Sequence, residues 1–446
     1  MAFPLDSISS VPGAALQFRV TLRDTADLVL TGERVRWTST DTAIATIDTT
    51  GRISAKKPGL ARIIAASGAH ADTLLVRLTT ITFSSVSTGD FHACGVTTDG
   101  AVYCWGYGGL GELGIGDTLT VSAPVRVLST LTFSRVGAGL RHTCALTTSG
   151  AAYCWGLNNL GQVGLGAPDS DPHVVPQAVS GGVYTALSVG DFHTCVLSST
   201  GVAACWGFGG SGQLGDGYTD LVNPAPVFVT GGLQFSVVSA GQLHTCAITT
   251  DSLGNCWGGP EEWRLGSTCA TSLCFATPQP ISGGLKMIAI SASKAHSCAL
   301  ANDGKAWCWG VNDNGQLGVS RDTSLTGQPV PVAGGHLFDR IVAGTYHSCA
   351  LTSAGAAYCW GANGGGQLGD GTLETRTAPL AVTGQLAFAS ISAATNYSCG
   401  VTIGGRAYCW GTDGEAFGVL GSGGDRTVRV VQSAPTPVLG QTVTIR

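Results

Sequence analysis

The sequence predicts an all-β protein, in which a seven-bladed β-propeller follows a small β-sandwich. A stretch of about 50 residues recurs seven times after an amino-terminal segment that lacks cysteine. Each copy carries a histidine or tyrosine and then a tryptophan at matching positions: His92, His142, His193, His244, His296, His347 and Tyr397, and Trp105, Trp155, Trp206, Trp257, Trp309, Trp360 and Trp410. Seven small units that cannot bury their own apolar faces indicate a closed repeat architecture.

One copy, RHTCALTTSGAAYCWG at Arg141–Gly156, is typical of a β-hairpin. Two short apolar segments flank a tight turn that ends at Gly150, and glycine suits a turn with positive φ. Strand-like segments precede and follow this hairpin, and no run has the 3.6-residue period of a helix, so we expect a four-stranded blade rather than a helical solenoid. The fourth copy has Ser252 at the turn glycine's position, which predicts a different turn there.

Sixteen cysteines follow the repeat. Fourteen form seven pairs that bracket the hairpins: Cys94 and Cys104, Cys144 and Cys154, Cys195 and Cys205, Cys246 and Cys256, Cys298 and Cys308, Cys349 and Cys359, and Cys399 and Cys409. This spacing places the two thiols opposite each other on adjacent antiparallel strands, within reach of a disulfide. Cys269 and Cys274 make an eighth pair in a loop. A fully paired set of cysteines indicates an oxidising compartment.

Zinc is the alternative to disulfides, because His-x-Cys and the facing Cys offer three ligands on one strand pair. The seventh copy keeps Cys399 and Cys409 but has Tyr397 where the other copies have histidine. The cysteine pair therefore persists without the histidine, which favours eight disulfides and no metal site.

The composition restricts the partners. Only 11% of the residues are charged, against a usual ~25%, and the formal net charge is −5. No basic patch is visible, so we expect no nucleic-acid partner. So few charges solvate the surface poorly, and we expect a protein partner to cover part of it. No apolar run is long enough for a transmembrane segment, and the first residues lack the features of a signal peptide.

GLRHTCALTTSGAAYCWGLNNLGQVGLG resembles the repeat of the regulator-of-chromosome-condensation family, and the match extends over all seven units, about residues 81–440. The resemblance implies the propeller but no single function, because this scaffold hosts unrelated activities. The plant UV-B photoreceptor of this family uses tryptophans in the turn before the histidine, which this chain lacks. Nucleotide exchange on a small GTPase is disfavoured because the cysteines place the chain outside the cytosol. Secreted β-lactamase inhibitors of this family show that one propeller face can clamp a protein.

Residues 1–79 are predicted to form the sandwich, and residues 80–446 the propeller. Short alternating segments separated by turns precede residue 79. The run VRWTSTDTAIATIDTTGRISAKKPGLARIIA resembles the bacterial immunoglobulin-like domain of group 2, which implies a bacterial source and makes Trp37 a core residue. The full expectation is thus a seven-bladed β-propeller preceded by an immunoglobulin-like β-sandwich. Thr82–Ser85 and Thr442–Arg446 both align with the opening strand of a unit, so one or both should close the ring.

The sequence offers no catalytic or cofactor site. The histidines recur once per copy, which indicates a buried, hydrogen-bonded structural role, and the tryptophans are expected to pack between blades. No nucleophile elbow, P-loop, zinc-protease or calcium-loop motif is present. We therefore predict that the protein is not an enzyme and binds no cofactor; an enzyme with its site in the axial channel would need a convergent acid/base set that the sequence lacks.

The two residues before each histidine vary while the frame stays fixed, and the resemblance places them on one face near the axis. Six of them form the predicted partner-binding surface: Asp90, Phe91, Arg141, Asp191, Phe192 and Tyr346. Aromatic and arginine side chains supply interface hot spots. Trp263, in the loop that carries Cys269 and Cys274, is a second candidate contact.

These observations favour a non-catalytic protein–protein interaction or scaffold protein of a bacterium. It would work outside the cytoplasm, in the periplasm, at the cell surface or secreted. A narrower form of this hypothesis is an accessory subunit of a larger, membrane-associated assembly. The alternative is a secreted inhibitor or a ligand-binding, lectin-like propeller.

Overall fold

The fold comes from a computed structural model, which describes residues 9–11, 15–17, 34–55, 59–68, 70–259, 264–267, 275–320, 327–413, 417–423, 429–439 and 441–445. Every regular element in these ranges is a β-strand. The chain divides into two compact units, one around residues 1–82 and 439–446 and the other around residues 83–438.

The first unit contains two four-stranded sheets. One has the strand order β1-β2-β5-β4 and the other the order β3-β6-β7-β36. The strands are β1 Ser9–Val11, β2 Ala15–Gln17, β3 Arg36–Ser39, β4 Ala45–Ile47, β5 Arg52–Ala55, β6 Gly59–Ser67, β7 His70–Thr80 and β36 Gln441–Ile445. Ala45 and Ile53 of the first sheet pack against Ala61 and Ile63 of the second, and the half-buried Trp37 lies against this core. The predicted sandwich is confirmed, with Trp37 at the edge of its core.

The carboxyl-terminal strand lies in this first unit. Gln441–Ile445 pairs antiparallel with β7, from Gln441 opposite Thr80 to Ile445 opposite Val76. Residues 442–445 therefore lie outside the ring, which leaves Thr82–Ser85 as the one of the two predicted segments that can close it. The first unit thus includes residues that the prediction assigned to the propeller. The sequence pattern of Gln441–Ile445 could not decide between the two units, because a strand with alternating apolar residues fits the edge of a blade as well as the edge of the sandwich sheet.

The second unit contains seven four-stranded antiparallel sheets, each made of four consecutive strands. The first strands are β8 Phe83–Thr88, β12 Phe133–Ala138, β16 Tyr184–Val189, β20 Phe235–Ala240, β24 Met287–Ala292, β28 Arg340–Ala343 and β32 Phe388–Ala393. The second strands are β9 His92–Thr97, β13 His142–Thr147, β17 His193–Ser198, β21 His244–Thr249, β25 His296–Ala301, β29 His347–Leu351 and β33 Tyr397–Thr402.

The remaining two strands of each sheet complete the blade. The third strands are β10 Val102–Gly106, β14 Ala152–Gly156, β18 Ala203–Phe208, β22 Gly254–Gly258, β26 Ala306–Gly310, β30 Ala357–Gly361 and β34 Ala407–Thr412. The fourth strands are β11 Val121–Arg126, β15 His173–Ala178, β19 Val222–Phe228, β23 Gln279–Pro280, β27 Val330–Pro331, β31 Arg376–Ala381 and β35 Val431–Pro437. These sheets are the seven predicted blades.

The two ends of the blades define two faces. The loop face carries the turns between first and second strands, such as residues 89–91, and the long loops between third and fourth strands, such as residues 107–120. The hairpin face carries the turns between second and third strands, such as residues 98–101, and the connections to the next blade. The first strands surround the axis, because the ends of all seven line one small pocket of about 90 Å³.

Among the described strands, no blade borrows a strand from the other end of the chain, because each of the seven sheets consists of four consecutive strands. The backbone N–H of Thr88, at the end of the first strand of blade one, donates a hydrogen bond to Ser392 Oγ of blade seven at 3.0 Å. The Phe83 nitrogen donates to the Gly405 carbonyl oxygen of blade seven at 2.8 Å. Side-chain and loop contacts therefore hold the seam, and Phe83–Thr88 is the opening strand that lies there, as predicted.

The turn at Ser252 is not different from the others. Ser252 adopts φ +72°, against +88° for Gly150, and its nitrogen donates to Thr249 as Gly150 donates to Thr147. The prediction of another turn was wrong because the surrounding hairpin imposes the left-handed conformation on a residue that disfavours it.

Candidate interaction surface on the loop face

The tryptophans tie each blade to the loop of the blade before it. Trp155 Nε1 donates to the carbonyl oxygen of Glu112 at 2.9 Å, and Trp206 makes the same bond to Gln162 at 3.0 Å. Gly114, which follows in the same loop, has φ +67°, and a Cβ there would approach Trp155 Nε1 to 2.7 Å. The loop segment Gly111–Gly114 thus forms a pocket for the indole of the next blade, and all seven indoles are fully buried.

The histidines also link each blade to the next. His92 Nε2 lies 2.7 Å from Thr143 Oγ1 of the next blade, and Thr143 Oγ1 donates to the Glu112 carbonyl oxygen at 2.7 Å. Because the hydroxyl proton is committed to that carbonyl, the hydroxyl accepts from the His92 Nε2–H. Burial lowers the pKa of His92 to about 3, so the ring is neutral. The six blade histidines are buried and hydrogen-bonded in this way, as predicted.

Seven disulfides link the second and third strands. They join Cys94 to Cys104, Cys144 to Cys154, Cys195 to Cys205, Cys246 to Cys256, Cys298 to Cys308, Cys349 to Cys359, and Cys399 to Cys409. All are fully buried, and Cys144–Cys154 packs with Trp206 of the next blade in one apolar core. Cys269 and Cys274 lie outside the described residues.

The variable pairs before the histidines separate into two sets. Five of the seven first members line the axial pocket: Asp90, Asp191, Gln242, Lys294 and Thr345. The second members lie farther out on the loop face and include Phe91, Arg141, Phe192 and Tyr346. The predicted partner-binding residues therefore belong to two different environments rather than to one ring.

The axial set is a hydrogen-bonded cluster that spans the ring. Lys294 Nζ binds the carboxylate of Asp90 and lies 3.5 Å from Asp191 Oδ2. Gln242 Nε2 donates to Asp191 Oδ2 at 3.0 Å, and Thr395 Oγ1 donates to Asp90 Oδ1 at 2.5 Å. Burial and the neighbouring Asp90 raise the pKa of Asp191 to about 6, against the opposing effect of Lys294. Asp90 and Asp191 thus share Lys294 as their counter-ion.

Arg141 is held in an aromatic setting. Its guanidinium carbon lies 4.0 Å from the ring centre of Phe91 and 4.5 Å from that of Tyr107. Phe417 of blade seven packs edge to face on both rings, with centroid distances of 5.6 Å to Phe91 and 4.9 Å to Tyr107. Stacking fixes the guanidinium plane, so Phe91 and Arg141 form one preorganised, half-buried cluster.

The buried carboxylate of Glu112 forms an ion pair with Arg141. Its Oε1 lies 3.7 Å from Arg141 Nη1, and its side chain is fully buried. Its Oε2 accepts from the Leu110 nitrogen at 2.8 Å, the bond that Gln162 makes to Leu160 in the next blade. Burial raises the pKa of Glu112 to about 7, although the Leu110 bond and Arg141 lower it. A glutamine at this position would accept the same backbone hydrogen bond, as Gln162 does. The negative charge of Glu112 is therefore explained by Arg141 and not by the loop.

The other two predicted aromatics lie apart. Phe192 is half-buried and packs edge to face on Phe208 at 6.3 Å, whereas Tyr346 is 42% exposed. Trp263 lies outside the described residues. Sequence reasoning missed Tyr107, Glu112, Lys294 and Phe417. The substitution of Glu112 for the glutamine of four other copies was the available signal.

Within the described ranges, no three His, Cys, Asp or Glu side chains come together in a way that could hold a metal ion. No described helix has the length and apolar character of a membrane span.

Three family models match the sequence. Two describe the "Regulator of chromosome condensation (RCC1) repeat": one matches residues 99–146, 149–197, 205–248, 303–351 and 354–401, and the other matches residues 83–112, 133–162, 184–213, 287–316 and 338–367. The third, "Bacterial Ig-like domain (group 2)", matches residues 6–76. Together they account for both units of the chain.

Curated relatives share the repeat. The Ultraviolet-B receptor UVR8 of Arabidopsis thaliana is 31% identical over 208 residues, which cover 45% of this chain and 47% of the receptor. The mitochondrial RCC1 domain-containing protein RUG3 of the same plant is 29% identical over 305 residues, 66% of this chain and 57% of that protein. The chain thus spans about half the length of these relatives.

Solved structures share the fold. Prp20p of Saccharomyces cerevisiae, described as binding Gsp1p and histones, superposes with a TM-score of 0.68 at 22% identity, over 77% of this chain and 87% of Prp20p. Human WBSCR16 superposes with a TM-score of 0.66 at 20% identity, over 82% of this chain and 97% of that protein. At these identities the likeness shows the propeller fold alone.

Proposed function

Because the chain belongs to the RCC1 repeat family, whose propellers mediate protein interactions, we propose that it is a non-catalytic protein–protein interaction or scaffold protein that works outside the cytoplasm. Its partner binds the loop face through Phe192 and Tyr346 and through the Phe91–Arg141 cluster. Trp263 remains a second proposed contact. The narrower form of the proposal is an accessory subunit of a membrane-associated assembly.

The observation that carries the proposal is the contrast between the repeated residues, which are buried inside the blades, and the variable residues before the histidines, which lie on the loop face. Trp155, His142 and Cys144 repeat in nearly every blade and are fully buried. The second residue of each variable pair differs from blade to blade, and Tyr346 stands 42% exposed at that position. Packing dictates the frame, whereas residues that vary on exposed turns of a rigid scaffold are free to serve recognition.

The disulfides support a location outside the cytoplasm. Seven buried disulfides in one chain are expected where thiols are oxidised, outside the cytoplasm. The group 2 bacterial Ig-like match at residues 6–76 supports the same placement, because such domains are common on bacterial surfaces.

The test is co-purification of the tagged protein from the extracytoplasmic and membrane fractions of the source bacterium. The variant Phe192→Ala with Tyr346→Ala should lose the partner that the parent retains, since truncating an interface anchor costs about 2 kcal/mol or more. The control is Phe228→Ala with Ile403→Ala, which removes two side chains that are 72% and 70% exposed away from the loop face.

Phe192 also packs on Phe208, so circular dichroism and thermal unfolding must show that the double variant is folded. Retention of the partner by the folded double variant, or its loss from the control variant alone, would place the working surface elsewhere. Recovery of the parent only as a free monomer from every fraction would refute the scaffold proposal.

A further inference from the structure

The two faces of the propeller differ in exposed charge. The described residues of the loop face include five exposed carboxylates, Asp117, Asp171, Asp220, Asp313 and Glu374, and one exposed cation, Arg429. The hairpin face carries four exposed carboxylates, Asp99, Asp251, Asp303 and Asp339. It also carries six exposed cations, Arg126, Arg135, Lys286, Lys305, Arg340 and Arg406. Among the described residues, the exposed carboxylates are divided almost evenly between the faces, whereas the exposed cations concentrate on the hairpin face and leave the loop face with a net negative charge.

Three half-buried cations among the described residues of the loop face do not offset this charge. Arg141 is paired with the buried Glu112, and Lys294 is shared between Asp90 and Asp191. Arg376 is divided between Asp370 at 2.9 Å and Glu374 at 3.0 Å. Each of these cations is half-buried and already faces at least one carboxylate, so the loop face presents a negative potential to a partner.

Three of the exposed carboxylates, Asp117, Asp171 and Asp220, are not required by the loops that carry them. Asp117 Oδ1 accepts from the Leu119 nitrogen at 3.0 Å, a turn that an asparagine supports equally well. Asp171 and Asp220 are exposed as well, and no described side-chain bond requires their charge. The charge is therefore available for recognition.

Exposed apolar side chains stand among these carboxylates. Leu119 is 57% exposed two residues after Asp117, Leu221 is 65% exposed beside Asp220, and Leu373 is 51% exposed beside Glu374. Tyr218, 66% exposed, lies in the same loop as Leu221. Exposed apolar side chains give a protein partner area to cover. The hairpin face exposes others, such as Phe228 and Ile403, so the charge and not the apolar area distinguishes the loop face.

Building on the proposed function, we infer that the partner presents a basic, partly apolar protein segment, whose Lys or Arg residues face the carboxylates of the loop face and whose apolar side chains cover Leu119, Tyr218 and Leu221. Complementary charge selects this occupant, because an acidic segment or a nucleic acid would be repelled. The apolar contacts supply affinity, and the charges supply orientation and association rate.

The probe is a fluorescently labelled extended peptide in which lysine alternates with leucine and serine, measured against the same peptide with glutamate for lysine. The full-length protein should bind the lysine peptide and not the glutamate peptide. Binding should weaken as salt rises from about 0.05 to about 0.3 M, since surface charges are screened over about a Debye length.

Two variants with the same change in net charge locate the site. Asp117→Asn, Asp171→Asn and Asp220→Asn together should weaken the lysine peptide about tenfold. Asp99→Asn, Asp251→Asn and Asp303→Asn remove three charges from the hairpin face and should leave binding within about twofold. Equal loss in both triple variants would reduce the effect to net charge and overturn the inference.

Equal binding of the lysine and glutamate peptides, or no binding of either, would overturn it as well. The proposed function is tested separately. If Phe192→Ala with Tyr346→Ala releases the native partner while the loop-face aspartate variant retains it, the interaction surface stands and the basic character of the partner is wrong.

Discussion

The Tyr397 hydroxyl of blade seven donates a hydrogen bond shared by the carbonyl oxygens of Gly89, at 2.7 Å, and His92, at 2.9 Å, in blade one. The other six blades have histidine at this position, and each histidine bonds to a threonine or serine of the next blade. Blade one has Ala93 where that hydroxyl would be, and Ala93 is fully buried. Tyrosine therefore replaces histidine where the histidine would have no partner.

We expect Tyr397→Phe to lower the free energy of unfolding by about 1–3 kcal/mol, because the buried Gly89 carbonyl loses its partner. Tyr397→His should be at least as costly, since its ring would face Ala93. Adding Ala93→Thr to Tyr397→His should recover stability by rebuilding the pair of the other blades. Urea unfolding of the parent, Tyr397→His, Ala93→Thr and the double variant measures this cycle, and Tyr397→Phe is measured beside them. No recovery in the double variant would show that the seam depends on something other than this pair.

Glu112→Gln should make the protein more stable at neutral and higher pH. The pKa of Glu112 is raised to about 7 in the folded protein from an ordinary 4.5, so the stability tied to its proton is full below about 4.5 and is lost as pH rises through about 7. Removing the ionisable group should raise the free energy of unfolding by about 3 kcal/mol at about pH 8 and change it little at about pH 4. Chemical unfolding at both pH values measures the difference.

The matched change is Gln162→Glu, which puts a carboxylate at the same loop position beside Phe192 instead of Arg141. It should destabilise the protein at about pH 8 and much less at about pH 5, because a buried unpaired carboxylate takes up a proton. If Gln162→Glu proves harmless at pH 8, Arg141 is not what allows Glu112 to be buried.

Lys294→Met should weaken the axial cluster in a pH-dependent way. The variant leaves the carboxylates of Asp90 and Asp191 facing the axis without their cation, and the pKa of Asp191 is already raised. Since a raised carboxylate pKa means that stability is lost as pH rises, the loss should be about 3 kcal/mol at about pH 8 and smaller at about pH 5. Thermal and urea unfolding at the two pH values test this.

Lys305→Met provides the comparison for that experiment. Lys305 Nζ lies 2.8 Å from Asp303 Oδ2, but the two side chains are 60% and 50% exposed, so its removal should change stability by less than about 0.5 kcal/mol. An equal effect of the two lysine variants would mean that the axial cluster contributes nothing beyond a surface ion pair.

Cys144→Ala with Cys154→Ala should lower the free energy of unfolding by about 2–3 kcal/mol in the chain-entropy model. Non-reducing peptide mapping should recover the seven hairpin links of the structure and the predicted link between Cys269 and Cys274. Quantitative alkylation of most blades without prior reduction would contradict both expectations, as would an unchanged unfolding midpoint for the double alanine variant.

Local chemistry that recurs along the chain determined the blades. The spacing of His142, Cys144, Gly150 and Trp155 defines a hairpin, and seven copies need each other to bury their faces, so the propeller and its disulfides could be predicted without coordinates. The sandwich followed in the same way from short alternating segments. These features depend on neighbours close in sequence or on a fixed period.

Tertiary structure alone decided the rest, because it depends on residues that meet only after the ring closes. Lys294 reaches Asp90 across 204 positions of sequence, and Phe417 reaches Phe91 from the other end of the ring. The same is true of Gln441–Ile445, whose alternating pattern suits either sheet and whose partner is β7. The sequence by itself determined which residues build the frame, whereas the division of the variable pairs into an axial cluster and a loop-face surface was decided by distances between blades, which no local pattern encodes.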